Sequence, residues 1–197
     1  NTYDQTLFLR VSFELYLKRL VIGGLDRVYE IGRDFRNEGV SKKHNPEFTM
    51  LEVYQAYADF EDMMELVEAM VVHAAERAVG TLTIEREGRK LDLTPPWPRR
   101  AMGDLIREAC GIDIHQATEL ETLRAAVKQA GVPNVDPAAA TSWAGLVDDV
   151  FSETVEPGLF APTFVIEYPA ALSPRAKREA GRPQMVERFE GFIGGME

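Results

Sequence analysis

One stretch constrains this chain more than any other: Arg27 to Tyr57, RVYEIGRDFRNEGVSKKHNPEFTMLEVYQAY. Read at a period of two, Val28 to Phe35 sets Val28, Glu30, Gly32 and Asp34 on one face and Tyr29, Ile31, Arg33 and Phe35 on the other. Phe48 to Tyr57 alternates in the same way, with Phe48, Met50, Glu52 and Tyr54 against Thr49, Leu51, Val53 and Gln55. A strand face that mixes large apolar groups with a single carboxylate is expected to be a pocket wall. Asn37, Glu38, Gly39, Ser41, Lys42, Lys43, His44, Asn45 and Pro46 lie between the strands. That connection is too long for a tight hairpin turn, and its cationic and amide donors suit an anion. Charge composition alone equally allows a solvated surface hairpin.

The order of the pieces separates these readings. FRNE, a basic loop, HNPEFTMLE, then Tyr54 and AYAD run without a break over about thirty residues, far more than a lone short motif. The string resembles motif 2 of the class II aminoacyl-tRNA synthetases, and its second half resembles the lysyl branch of that family. The resemblance implies an α+β fold, a class II synthetase-like antiparallel β-sheet flanked by helices, and the ATP-dependent activation of L-lysine for transfer to tRNA(Lys).

Activation is an in-line attack of a carboxylate on the α-phosphate of ATP, so two anions must be brought together and the developing charge stabilised. Arg36 matches the family's motif 2 arginine, whose planar fork reaches both the lysine carboxylate and the phosphate; a surface ion pair is the competing reading. By the same resemblance Glu38 meets the adenine amino group, Lys43 and His44 lie over the outer phosphates, Asn45 holds the loop or nucleotide, and Phe48 stacks on adenine. A lysine side chain needs an anion against its ε-ammonium, because a buried unpaired charge is costly. Glu52 and Tyr54, two residues apart on one strand face, match the positions that supply it. An acid at position 52 would repel an aspartate side chain and so favours a cationic substrate. Glu14, in FELYLKRL, matches the residue that receives the α-amino group; without that match it reads as a solvated helical acid.

Glu190 and Glu197 stand seven residues apart across Gly194-Gly195, a spacing that means little by itself and leaves them solvated by default. RFEGFIGGME nevertheless resembles the lysyl-synthetase string whose two glutamates hold Mg²⁺ against the ATP phosphates, and carboxylate oxygens are the ligands magnesium takes.

At 197 residues the chain can build a real core. A net charge of −10 argues against a general nucleic-acid binder, so any tRNA contact is expected to be local. The single cysteine, Cys110, leaves no intrachain disulfide and reads as packing. No apolar run reaches membrane-span length and no leader precedes the first element, so a cytoplasmic protein without a membrane partner is expected.

In chain order, Asn1 to Leu9 reads as a strand and Val11 to Leu20 as a short helix ended near Gly23-Gly24. A long helix opens after a capping-box-like Asp59 and Asp62, buries Met63, Leu66, Val67, Met70, Val71, Ala74 and Ala78, and ends at Gly80. A hairpin follows over Thr81 to Leu93. Residues 99–158 read as a helical insertion: Arg100 to Cys110, a helix capped by Thr118 with Glu121, and one from about Ser142. His73 and His115 have no partner by spacing. Pro162 to Tyr168 and Val186 to Ile193 read as strands, joined by a loop whose Arg175, Lys177, Arg178 and Arg182 are expected to be solvated.

Relative to the family, motif 1, motif 3 with its ATP-binding arginine, and an amino-terminal anticodon-binding domain are missing from the sequence. The expectation is a partial catalytic domain, inactive alone and homodimeric in its full-length form. Two alternatives stay open: the related lysine ligase that modifies elongation factor P, and a truncated non-catalytic paralogue acting as a binding module.

Overall fold

A computed structural model describes residues 3–37, 39 and 44–197, which divide into two compact units, 1–59 and 60–197.

The first unit is helix α1 (Glu14–Ile22) laid on a hairpin of β1 (Arg27–Phe35) and β2 (Glu47–Gln55). The strands pair antiparallel in a register that sets Glu30 opposite Glu52 and Val28 opposite Tyr54. The alternation written in the sequence is the alternation of burial, with Val28 and Asp34 buried and Tyr29 and Ile31 exposed. Phe13, Leu17 and Val28 form the small core, with Val21, Met50 and Tyr54 packed against it. Helix α1 therefore covers the strand face that carries Glu52 and Tyr54. The expected amino-terminal strand is absent from the described residues: Leu7, Phe8 and Leu9 are exposed and have no ladder partner. Among the described residues the segment's one backbone bond to β1, from Phe35 N to the Arg10 carbonyl, falls just after these positions, so their alternation finds no ladder.

The second unit opens with α2 (Phe60–Val79) and a hairpin of β3 (Thr83–Arg86) and β4 (Arg89–Asp92). Met64 is the buried residue of α2, against Trp97 and Phe164, whereas Ala74 and Ala78 of the expected stripe are exposed. Trp97 is fixed from two sides: its backbone N–H donates to Glu68 at 2.7 Å and its indole Nε1 to the Leu93 carbonyl at 3.0 Å.

Where a helix was expected from Arg100, the chain first forms β5 (Arg99–Ala101), and only then α3 (Met102–Cys110). Helices α4 (Leu120–Ala130) and α5 (Trp143–Thr154) follow, then β6 (Thr163–Ile166), which pairs parallel with β5. Parallel neighbours need a long crossover, and the three helices supply it. Residues 99–158 are accordingly not helical throughout, and Ile106, Leu123, Val127, Leu146, Val147 and Val150 share one core with Val165, Val186 and Phe192 of the strands. Ser142, near which the third helix was expected to open, caps α5 by accepting from Gly145 N; Thr118 does not cap α4, whose N-cap position is Glu119.

Glu167, at φ +58°, breaks the expected Pro162 to Tyr168 strand and redirects the chain into β7 (Tyr168–Pro169). That strand joins β8 (Arg178–Glu179) and β9 (Arg182–Val186), while β10 (Glu190–Phe192) pairs antiparallel with β6. The expected strand from Val186 to Ile193 is thus split between two sheets. Its cationic neighbours are engaged rather than simply solvated: Arg182 pairs with Glu167 and Glu179, Lys177 with Glu187, and Arg178 donates to the Pro183 carbonyl. The class is α+β as expected, but the described strands form four small sheets, one containing a parallel pair, rather than a single antiparallel sheet. No described helix is long and apolar enough to cross a membrane.

Candidate active site

Glu52 is the centre of the first unit's site. Its Oε1 accepts from Ser12 Oγ at 2.7 Å and from Phe13 N at 3.2 Å, and its Oε2 accepts from the Tyr54 hydroxyl at 3.0 Å. The protein's own donors orient both carboxylate oxygens, which fixes a half-buried negative charge at one point of the strand face. Burial pushes the Tyr54 phenol above its ordinary pKa, and the hydrogen bond to Glu52 and the charges of Glu52 and Glu14 push it further. Tyr54 therefore stays a hydroxyl donor. Ser12 works in two directions, since its Oγ also accepts from Glu14 N at 3.0 Å, tying the start of α1 to Glu52.

Glu14 stands on the first turn of α1, close enough to Tyr54 for its charge to act on the phenol, and forms an ion pair with Lys18 one turn on. Lys18 Nζ lies 5.9 Å from the Tyr54 ring centroid. An ammonium group is thus already at home beside this carboxylate and this aromatic ring. The sequence reading missed Ser12 and Lys18. Lys18 was detectable as the i,i+4 partner of Glu14; the bond from Ser12 to Glu52 spans forty positions and had no local signal.

Arg36 follows β1 directly. Its Nε donates to the Val11 carbonyl at 3.2 Å, its backbone N–H to the Pro46 carbonyl at 2.9 Å, and its guanidinium carbon lies 5.3 Å from the Phe48 ring centroid. Arg36 and Phe48 are both half-buried, so the expected fork and stacking ring are brought together at one end of the hairpin. His44 and Asn45 are exposed next to it. Glu38 and Lys43 lie outside the described residues.

In the second unit a cavity of about 410 Å³ is lined by Glu190, Glu197, Asp148, Glu156, Tyr168 and Arg188, among others. The turn at Gly194-Gly195, with φ of +66° and +76°, takes backbone that residues with a side chain rarely adopt, and it returns Glu197 to the cavity that Glu190 lines. Glu190 Oε2 accepts from Tyr168 OH at 2.7 Å, and Oε1 pairs with Arg188. Desolvation raises the Asp148 pKa, with Asp149 and Glu156 adding and Arg188 opposing. The cavity thus holds more negative charge than its arginine balances. No group of three or more His, Cys, Asp or Glu among the described residues is arranged to enclose a metal ion. Magnesium does not require one, because it is held through one or two carboxylates and completes its shell with water and phosphate. Glu190 and Glu197 fit that ion by donor chemistry, with Arg188 as the group competing for Glu190.

The hairpin thus presents an arginine beside an aromatic ring at one end and a pre-oriented glutamate on its covered face. The chain belongs to the family described as tRNA synthetases class II (D, K and N), whose sequence model matches residues 1–197. Within it the chain is similar to lysine–tRNA ligases: that of Chloroflexus aurantiacus is 55% identical over 197 residues, covering 100% of this chain and 40% of the relative. Those of Pelotomaculum thermopropionicum and Nostoc punctiforme are 52% and 50% identical, again over 100% of this chain and over 39% and 35% of their own lengths. The chain therefore spans about two fifths or less of the curated relatives it matches.

Proposed function

We propose that this chain carries lysine- and ATP-binding parts of a lysine–tRNA ligase, which activates L-lysine with ATP and transfers it to tRNA(Lys), as a homodimer in its full-length form. The observation that carries this reading is the carboxylate of Glu52, held on both oxygens by Ser12, Phe13 N and Tyr54 on the strand face covered by α1. A fixed anion there, with Glu14 nearby, suits a ligand with two ammonium groups. Glu52 and Tyr54 take the ε-ammonium, Glu14 the α-amino group, and Arg36 the carboxylate and the α-phosphate.

Arg36 also carries the chemistry. Its fork offers parallel N–H donors to the oxygens on which charge builds as the carboxylate attacks phosphorus, and it keeps the two anions within reach of each other. Phe48 stacks on the adenine, Glu38 accepts from its amino group, and Lys43, His44 and Asn45 meet the phosphates. Glu190 and Glu197 would hold Mg²⁺, which when bound neutralises phosphate charge.

The test is Glu52→Gln in a polypeptide carrying this chain together with the remaining length its relatives have. Lysine affinity should fall by about 2–5 kcal/mol, toward the lower end because Glu52 is half-buried, with ATP affinity nearly intact. Unchanged lysine KM and kcat would remove the assignment.

A further inference from the structure

The face of β1 that packs beneath α1 carries Glu30, Gly32 and Asp34 in alternation, two acids around a residue with no side chain. Arg10 lies in that slot. Its Nη1 donates to Glu30 Oε1 at 2.6 Å, its Nε to the Arg33 carbonyl at 2.9 Å, and the same Nε stands 3.6 Å from Asp34 Oδ1. The guanidinium carbon is 4.0 Å from the centroid of the Phe13 ring, so the group is sandwiched between Phe13 and the strand. Gly32 makes the sandwich possible: a Cβ there would stand 2.4 Å from Arg10 Nη2 and 3.2 Å from Phe13 Cζ.

Asp34 explains why Arg10 cannot easily leave. Its side chain is 0% exposed, and neither carboxylate oxygen has a hydrogen-bond partner among the described residues. A fully buried carboxylate needs a compensating charge, and the Arg10 guanidinium is the cation placed beside it. The backbone adds a second pin, since the Arg10 carbonyl accepts from Phe35 N at 2.9 Å.

The three residues after Arg10 are the ones that hold the proposed lysine-binding groups. The Val11 carbonyl accepts from Arg36 Nε; Ser12 Oγ and Phe13 N both donate to Glu52 Oε1. We propose that Arg10 is a positioning residue for lysine recognition, clamped by Glu30 and Asp34 so that residues 11–13 hold Arg36 and Glu52 in fixed relation. Resting on the lysine-activation reading, this deepens it by naming a residue that touches neither substrate. Fixing two ligand-binding groups through one short segment is preorganisation, and its loss appears in substrate affinity before it appears in fold.

The experiment compares D34N, R10A/D34N, E52Q, D34N/E52Q and R10A/D34N/E52Q in lysine-dependent ATP–pyrophosphate exchange by the full-length polypeptide, with melting temperatures alongside. Removing Asp34's charge in the same variant keeps the arginine deletion from stranding a buried carboxylate, so the variants stay folded. Relative to D34N, R10A/D34N should raise the lysine KM about tenfold while the ATP KM stays within about twofold. In the E52Q background the same deletion should raise it less, because the part that acts through Glu52 is already lost and only the part through Val11 and Arg36 remains. An unchanged lysine KM in R10A/D34N overturns the inference, as does an equal rise in the lysine KM with and without Glu52. If R10A/D34N melts well below D34N and loses lysine and ATP affinity together, Arg10 is structural and the inference also fails. If E52Q alone leaves the lysine KM unchanged, the lysine reading itself falls and takes this one with it.

Discussion

The Tyr54 hydroxyl donates to Glu52 Oε2 across 3.0 Å, between two residues on the same face of one strand. The bond leaves the second oxygen to Ser12 and Phe13 N, so Tyr54→Phe removes one of three donors and leaves the carboxylate in place. Lysine affinity should fall by about 1 kcal/mol, less than for Glu52→Gln, with ATP affinity unchanged. Lysine titrations of the two variants side by side check the ranking; a larger loss for Tyr54→Phe would refute it.

Arg36→Ala should act mainly through kcat. The side chain faces charge that develops only as the carboxylate attacks, so its removal costs more in the transition state than in the ground state. Arg36→Lys keeps the charge without the fork and should recover only part of the rate. Pyrophosphate exchange measured over a range of lysine and ATP concentrations separates the two effects, and a near-normal kcat in Arg36→Ala would return Arg36 to a structural role.

Stability at alkaline pH depends on Tyr168. Burial raises its pKa, Arg188 opposes, and Glu197, Glu156 and Asp148 raise it further. The unfolded phenol gives up its proton from about pH 10, while the folded one retains it. The unfolded state therefore binds fewer protons above that pH, so the contribution is present below about pH 10 and is lost as pH rises toward the folded pKa. Urea unfolding followed upward from pH 9 should show falling stability, and Tyr168→Phe should make the fall shallower. Parallel curves for the two proteins would contradict this.

Ser142 and Thr118, each near the start of a helix, differ in a measurable way. Ser142 accepts from Gly145 N at 3.0 Å, so Ser142→Ala should cost about 1 kcal/mol. Thr118 is exposed and lies outside the N-cap position of α4, so Thr118→Ala should stay within about 0.5 kcal/mol. Thermal unfolding of both variants decides it, and equal losses would mean the cap assignment is wrong.

The candidate site was legible wherever a role depends on neighbours in sequence. Glu52 and Tyr54 share a face because the side-chain period of a strand is two, and Arg36 comes near Phe48 because a hairpin pairs its strands in register. The loop between them is a different matter: Glu38 and Lys43 lie outside the described residues, so their roles stay part of the proposal. Ser12, Arg10 and Arg188 went unrecognised because their partners are tertiary. Arg188 meets Ser173 and the Tyr168 ring as well as Glu190, a set that local pattern does not collect.

By itself the sequence determined the elements with strong local signals: the hairpin of β1 and β2 with its two faces, and helices α1 to α5 within a few residues. Tertiary structure alone decided which strands are neighbours. β5 exists because β6 returns beside it after three helices, and the apolar run from Val186 to Ile193 is divided because its two ends pair with different sheets. A strand's hydrogen bonds are made with another segment, so its existence depends on what the rest of the chain brings alongside. The same holds for Arg10, whose slot exists only once α1 has closed Phe13 over Gly32.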